Sequence, residues 1–253
     1  MDKLAVWAET LPVRFNAVDR SDTMTLNTVF ALFQEAAISH AENLGVGRED
    51  MAAAGQVWIL SRMSVRVDRR PAYREQVTVR SWPRGWEKLF AIRDFDVLGS
   101  GGSGAPVIRG RSCWIIIDIE KRRPMRPQAI MDRMPLNEGL DALASVPPAL
   151  EARPAARVVS QCRALYNDVD YVGHVNNVSY IRWLENALDP SLLERAKRSR
   201  LDVNYVNEVL PGESVELLLS EFDAAPEYSA GFAFEGRKAG GLTAFRAELR
   251  VGF

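Results

Sequence analysis

From Leu26 the apolar positions Leu26, Val29, Phe30, Phe33, Ala36, Ala37, Ala41 and Leu44 trace one helical stripe, and Gly45 ends it. Past that point the period shortens to two. Met63, Val65 and Val67 alternate with Arg62, Ser64, Arg66 and Asp68, and Val77 and Val79 flank Thr78, the pattern of strands with one buried face. Further strands are expected over Phe90 to Val97 and Val107 to Ile119, separated by a flexible hairpin turn from Gly99 to Gly104.

The second half follows the same plan. Asn176-Asn177 opens a second stripe of Val178, Ile181, Leu184, Ala187 and Leu188, ending at Asp189-Pro190. Strands are expected at Leu201 to Tyr205, Val215 to Phe222, Ser229 to Glu235 and Ala244 to Val251, with a turn at Gly240-Gly241. Superposing Asn27 on Asn177 pairs Phe30 with Tyr180, Phe33 with Trp183, Glu35 with Glu185 and Ala37 with Ala187. One long helix followed by antiparallel strands is an α+β unit with the sheet wrapped around the helix. Two copies describe an internal pseudo-dimer, and periodicity alone leaves two unrelated α+β domains equally open. The expected units are residues 1–127 and 156–253. Between them, 128–155 is a connector within a stretch punctuated by Pro124, Pro127, Pro135, Pro147, Pro148 and Pro154, with at most a short helix near Leu136 to Leu143.

Composition narrows the class. Lys plus Arg (32) nearly balance Asp plus Glu (33), which argues against a generally basic nucleic-acid coat. Two cysteines, Cys113 and Cys162, cannot build a disulfide scaffold or a cysteine zinc cluster. Two histidines, His40 and His174, cannot build a multi-histidine metal site, so no metal or cofactor is expected. No run approaches the roughly 18 apolar residues of a membrane span. Nothing near Met1 reads as an export signal, and the expectation is a cytoplasmic protein with no nucleic-acid or membrane partner.

The densest polar cluster is Asn167-Asp168-Val169-Asp170-Tyr171-Val172-Gly173-His174-Val175-Asn176-Asn177, between a strand and the second helix. A helix N-terminus offers unpaired N–H groups and partial positive charge, a setting suited to a developing oxyanion. The plainer reading is that Asn176 or Asn177 caps the helix while Asp168 and Asp170 make Asx turns. The repeat offers a control. In the Asn27–Asn177 superposition, Asp170 falls on Arg20 and His174 on Met24, so the first copy lacks both groups. Aligning Glu75-Gln76-Val77 with Glu213-Ser214-Val215 likewise puts Arg70 opposite Glu208.

Asp170-Tyr171-Val172-Gly173-His174-Val175-Asn176-Asn177-Val178-Ser179-Tyr180-Ile181-Arg182-Trp183 resembles the signature segment of the acyl-acyl-carrier-protein thioesterases. Leu60 to Asp68 and Ser81 to Phe95 resemble further stretches of that family, in the same order along the chain. The resemblance implies two tandem hotdog domains, each a long central helix wrapped by an antiparallel sheet. It implies hydrolysis of fatty acyl-carrier-protein thioesters, with acyl carrier protein as partner and the acyl tail in a cleft of the first domain; hydrolysis of acyl-coenzyme A and non-catalytic acyl binding are the alternatives. It implies catalytic roles for Asp170, His174 and Glu208, the last within Asn204 to Val209. Asp170 would serve as base toward water or as direct nucleophile, and His174 would orient the thioester or protonate the departing sulfur. Glu208 would position water, and the amides near Asn176 and Asn177 would polarise the carbonyl. The family's Asn two residues before the His is Val172 here, with Asn176 a candidate replacement, and the Cys many plant members carry after the Glu is Val209.

The remaining residues read more plainly. His40 lies on the first apolar stripe and is expected buried and hydrogen-bonded, and both cysteines read as small hydrophobes. Lys121-Arg122-Arg123 with Arg126, and Arg195 to Arg200, are solvated faces or meeting points for an acidic carrier protein. Trp58, Trp82 and Trp86 are candidates for shaping the acyl pocket or for plain core packing. A repeat that already forms a dimer-like unit leaves both monomer and homodimer open.

Overall fold

The computed structural model describes residues 3–99, 104–137, 139–154 and 156–253, so positions 100–103 of the Gly-rich turn lie outside the described residues. Its strands are β1 (Trp7–Pro12), β2 (Gln56–Val67), β3 (Gln76–Glu87), β4 (Phe90–Leu98), β5 (Ile108–Asp118), β6 (Arg123–Met125), β7 (Arg157–Arg163), β8 (Arg198–Tyr205), β9 (Ser214–Phe222), β10 (Ala230–Lys238) and β11 (Thr243–Gly252). Its helices are α1 (Leu26–Asn43), α2 (Arg48–Ala53), α3 (Gln128–Met131), α4 (Asn177–Asn186) and α5 (Pro190–Arg195).

The strands form one sheet in the order β1-β3-β4-β5-β2-β8-β11-β10-β9-β7, with β6 hydrogen-bonded to β5. Read inward from either end, each half runs first, third, fourth, fifth and second strand of its own set. The two sets meet where β2 and β8 pair antiparallel, Ser64 opposite Asp202. This is an internal two-fold repeat, and the α+β expectation holds.

Local chemistry explains the first helix. Thr25 caps its start by accepting from the Thr28 N–H. At its end Gly45 (φ 71°) sends its N–H to Glu42 while Val46 reaches back to Ala41, a Schellman closure that favours glycine. Its apolar stripe, Leu26, Val29, Phe30, Phe33, Ala36 and Ala37, is buried in a core shared with Tyr180, Ile181, Trp183 and Leu184 of α4. Close approach to the sheet depends on Gly110, where a Cβ would lie 2.6 Å from the Phe33 ring.

Three expectations change. The connector helix forms at α3, not over 136–143, and the residues described there have no helix. The second helix stops at Asn186, and Asp189 instead caps α5 by accepting from Ser191 N–H. The connector is pinned across the sheet rather than slack: Asn204 bonds the Leu150 N–H and the Pro148 carbonyl, and Trp82 donates to the Leu140 carbonyl.

Candidate active site

The loop before α4 is built by backbone bonds. Val169 and Val175 bridge antiparallel, closing a turn in which Asp170 N–H donates to the His174 carbonyl (3.1 Å) and Gly173, at φ 95°, returns to the Asp170 carbonyl (3.0 Å). Asp168 is structural: buried, it accepts from Leu165 N–H and pairs with Arg182 on α4, holding loop to helix. Asp170 accepts from the Val172 N–H (2.9 Å) and from the Asn176 side-chain amide (3.3 Å). Asn176 meanwhile caps α4 through the Val178 N–H (2.8 Å). The Asx-turn and cap roles are therefore real. A carboxylate can accept about four hydrogen bonds, so they leave capacity on Asp170.

Asn177, the first residue of α4, differs from its neighbour. Its carbonyl accepts from the Tyr205 hydroxyl (3.1 Å), while its N–H makes no hydrogen bond among the described residues. Asn177 lines a crevice of about 20 Å³ together with Phe30, Phe33, Met63, Phe95 and Trp114 of the first half. Glu208 is exposed and adjoins Val209, whose carbonyl accepts from Val175 N–H, so Glu208 and His174 flank one hydrogen-bonded pair. Tyr180 lies buried beneath. Burial raises its hydroxyl's pKa first, and Glu208, Glu213 and Asp170 add to this against a hydrogen bond from the Val209 backbone. The structure thus brings Asp170, His174, Asn176, Asn177 and Glu208 to one end of α4.

The first half carries the same turn. Val18 bridges Met24, and Asp19 N–H donates to the Thr23 carbonyl. These pairs superpose Val18 on Val169 and Met24 on Val175, so Leu26, not Asn27, is the counterpart of Asn177. The Asn27–Asn177 superposition is one residue out. It matched identical side chains, whereas Asn27 is the second residue of its helix and Asn177 the first. Asp170 therefore falls on Asp19, not Arg20, and His174 on Thr23, not Met24; the first half keeps the aspartate. The Arg70–Glu208 match stands, because Pro71 and Val209 accept from Met24 and Val175 in the same way.

What separates the halves is the partner. Arg70 donates to Asp19 at 2.6 Å. Burial works against the Asp19 carboxylate, yet bonds from Ser21 and Arg70 with the Arg70 charge hold its pKa below the ordinary value. In the second half a carboxylate, Glu208, replaces that arginine. A cavity of about 300 Å³ lies between Asp19, Arg70 and the start of α1 on one side and Glu185, Leu193 and Glu194 of the second half on the other.

Other expectations divide. None of Trp58, Trp82 and Trp86 lines the crevice: Trp58 donates to the Val46 carbonyl, Trp82 is buried against the connector, Trp86 is exposed, and Trp114 does the lining. His40 is buried between the Leu4 carbonyl and Arg93, and burial first, then the Arg93 charge, lowers its pKa to about 4. Burial pushes the Cys113 thiol up to about 11, far from a nucleophile's range. Two residues lacked a signal in periodicity. Arg48 of α2 stacks over the Tyr171 ring (4.4 Å) and ties the first half to the second-half loop, and Gln34 of α1 lines the crevice beside Asn177 and Val178.

Residues 5–132 match the acyl-ACP thioesterase N-terminal domain and residues 151–248 the acyl-ACP thioesterase C-terminal domain. The chain belongs to this family. A chloroplastic acyl-[acyl-carrier-protein] hydrolase of Cuphea viscosissima is 24% identical over 243 residues, covering 90% of this chain and 58% of that one. A chloroplastic palmitoyl-acyl carrier protein thioesterase of Cuphea hookeriana is 26% identical over 218 residues, covering 80% and 52%. The chain thus spans about half the length of the curated relatives it matches. In fold, it is similar to an acyl-ACP thioesterase from Bacteroides thetaiotaomicron (TM-score 0.86, 22% identity, 98% of both chains). It is also similar to a 12:0-ACP thioesterase from Umbellularia californica (TM-score 0.82, 20% identity, 98% and 94%). The tandem hotdog architecture of this family accounts for the mirrored strand order. Among the described residues no helix is long and apolar enough to cross a membrane.

Proposed function

We propose that this chain hydrolyses fatty acyl thioesters of acyl carrier protein, releasing a free fatty acid and the carrier thiol. Residues 1–127 supply the acyl-chain pocket, 156–253 the catalytic residues, and 128–155 the connector. One observation supports the reading: Asp170, which has no arginine partner among the described residues, and His174 lie on the turn that leads into α4, whose first residue, Asn177, lines an apolar crevice.

In this mechanism Asp170 takes a proton from water as the water oxygen attacks the thioester carbonyl carbon. The carbonyl oxygen becomes an oxyanion held by the Asn177 N–H and the partial positive charge of the α4 N-terminus. The C–S bond then breaks, and His174 delivers a proton to the departing sulfur. Glu208 orients the water, and Asn176 fixes Asp170 in the place that Val172 leaves without a polar side chain. The basic segments Lys121–Arg123 and Arg195–Arg200 offer charge to an acidic carrier.

The test is thiol release from carrier-linked and coenzyme A-linked acyl groups of equal chain length. Faster turnover of the carrier-linked substrate is expected. Asp170→Ala and His174→Ala should each lose about 10²- to 10⁴-fold in kcat while keeping the wild-type circular dichroism spectrum. Wild-type turnover in either variant sinks the assignment.

A further inference from the structure

The first half holds an internal image of the reaction's charged intermediate. Glu185 of α4 reaches across to the start of α1, where one carboxylate oxygen accepts from Leu26 N–H (2.8 Å) and the other from the Asn27 side-chain amide (2.5 Å). The Asn27 N–H lies 3.4 Å from both oxygens. An anionic oxygen on the first free amide of a hotdog helix is the contact an oxyanion on Asn177 requires. Burial raises the pKa of Glu185, and its bonds to Asn27 and Leu26 oppose that rise.

The two-fold repeat maps this contact onto the other side. With Val18 on Val169 and Met24 on Val175, Leu26 becomes Asn177 and Glu185 becomes Gln34. The mapping agrees with the packing, because Gln34 lines the crevice together with Asn177 and Val178. The difference is chemical. A glutamate plugs its helix start with an acceptor, whereas glutamine is neutral and carries two N–H donors. Gln34 makes no side-chain hydrogen bond among the described residues, and neither does the N–H of Asn177.

We propose that Gln34 is a catalytic residue of the first half: its side-chain amide and the Asn177 N–H together donate to the thioester carbonyl oxygen. The oxyanion site is then shared between the two halves, with one donor from each. This inference rests on the hydrolase reading above and adds to it the requirement that residue 34 be an uncharged donor. It also assigns a reason to the asymmetry between Gln34 and Glu185, since a glutamate at position 34 would close the second site as Glu185 closes the first.

The experiment compares Gln34→Ala, Gln34→Met and Gln34→Glu in the full chain on acyl carrier protein substrate, with kcat and KM resolved separately. Loss of a donor acting in the transition state should lower kcat by about 100-fold in Gln34→Ala and Gln34→Met with KM little changed. Gln34→Glu should be at least as impaired at neutral pH. Its activity relative to wild type should climb as pH falls, because a protonated carboxyl can again donate. A structural role would not produce that pH signature, and melting curves of the three variants check the fold. Wild-type kcat in Gln34→Ala or Gln34→Met overturns the proposal while leaving the hydrolase reading intact. So does a Gln34→Glu activity ratio that is flat with pH. A wild-type chain that releases no thiol from any acyl carrier substrate overturns both.

Discussion

The two halves build the same turn and place the same aspartate on it, yet among the described residues only one of the two aspartates meets an arginine. In the first half Arg70 neutralises Asp19, and Glu185 occupies the start of α1. In the second, Glu208 stands where Arg70 would be, and the first amide of α4, that of Asn177, has no partner among the described residues. One scaffold thus holds a closed, charge-compensated turn and an open, acidic one. The lesson is that identity at a single position says little about chemistry. A carboxylate gripped by a guanidinium is held in its charged form, which makes it a poor proton acceptor.

Glu208→Arg sharpens this contrast most. It should reproduce the first-half ion pair at Asp170 and cost about 10³-fold in kcat, roughly 4 kcal/mol of barrier, with the fold retained. Kinetics near the wild-type value would show that the partner of the aspartate does not separate the halves.

The two histidines extend the comparison. His174 is half-buried in the open turn, whereas His40 is fully buried between Leu4, Arg93 and the neighbouring Trp7 ring. The folded-state pKa of His40 lies near 4, below its ordinary value of 6.5. Stability from neutral His40 is therefore complete above pH 6.5 and declines as pH falls toward 4, since the unfolded chain protonates first. The full loss is on the order of 3 kcal/mol. Thermal melts of wild type and His40→Leu between pH 7 and 4 should show a shallower acid decline in the variant. Parallel curves would contradict this.

Smaller effects belong to the closed turn. Arg70→Ala leaves Asp19 without its main partner and should destabilise by about 1–2 kcal/mol in urea unfolding while turnover stays at the wild-type level. A large loss of turnover would make the first-half turn part of the catalytic apparatus. Glu185→Ala frees the α1 amides and should cost about 1 kcal/mol, the usual value of a helix cap. An unchanged unfolding midpoint would mean that water replaces the carboxylate without penalty.

Much of the architecture is legible from spacing. The Leu26 to Ala37 stripe became the buried face of α1, and the alternation at Met63, Val65 and Val67 became β2 with its core side chains inward. The cluster from Asp170 to Asn177 did form a cap and turn at a helix start. Errors fell where two long segments had to be brought into register. Matching Asn27 to Asn177 followed residue identity, whereas backbone bonds from Met24 to Pro71 and from Val175 to Val209 set the true correspondence one residue away.

The sequence by itself determined the elements and their repetition, because helical and strand periods are local and each apolar stripe must find a core. Only the tertiary structure decided which amide stays open, which carboxylate meets an arginine, and that Gln34 and Arg48 of the first half reach the second-half site. The reach of Gln34 and Arg48 into the second half depends on the antiparallel joining of β2 to β8 and the packing of α1 against α4. Such contacts join residues more than a hundred positions apart, and nothing in the local pattern of either partner encodes the meeting.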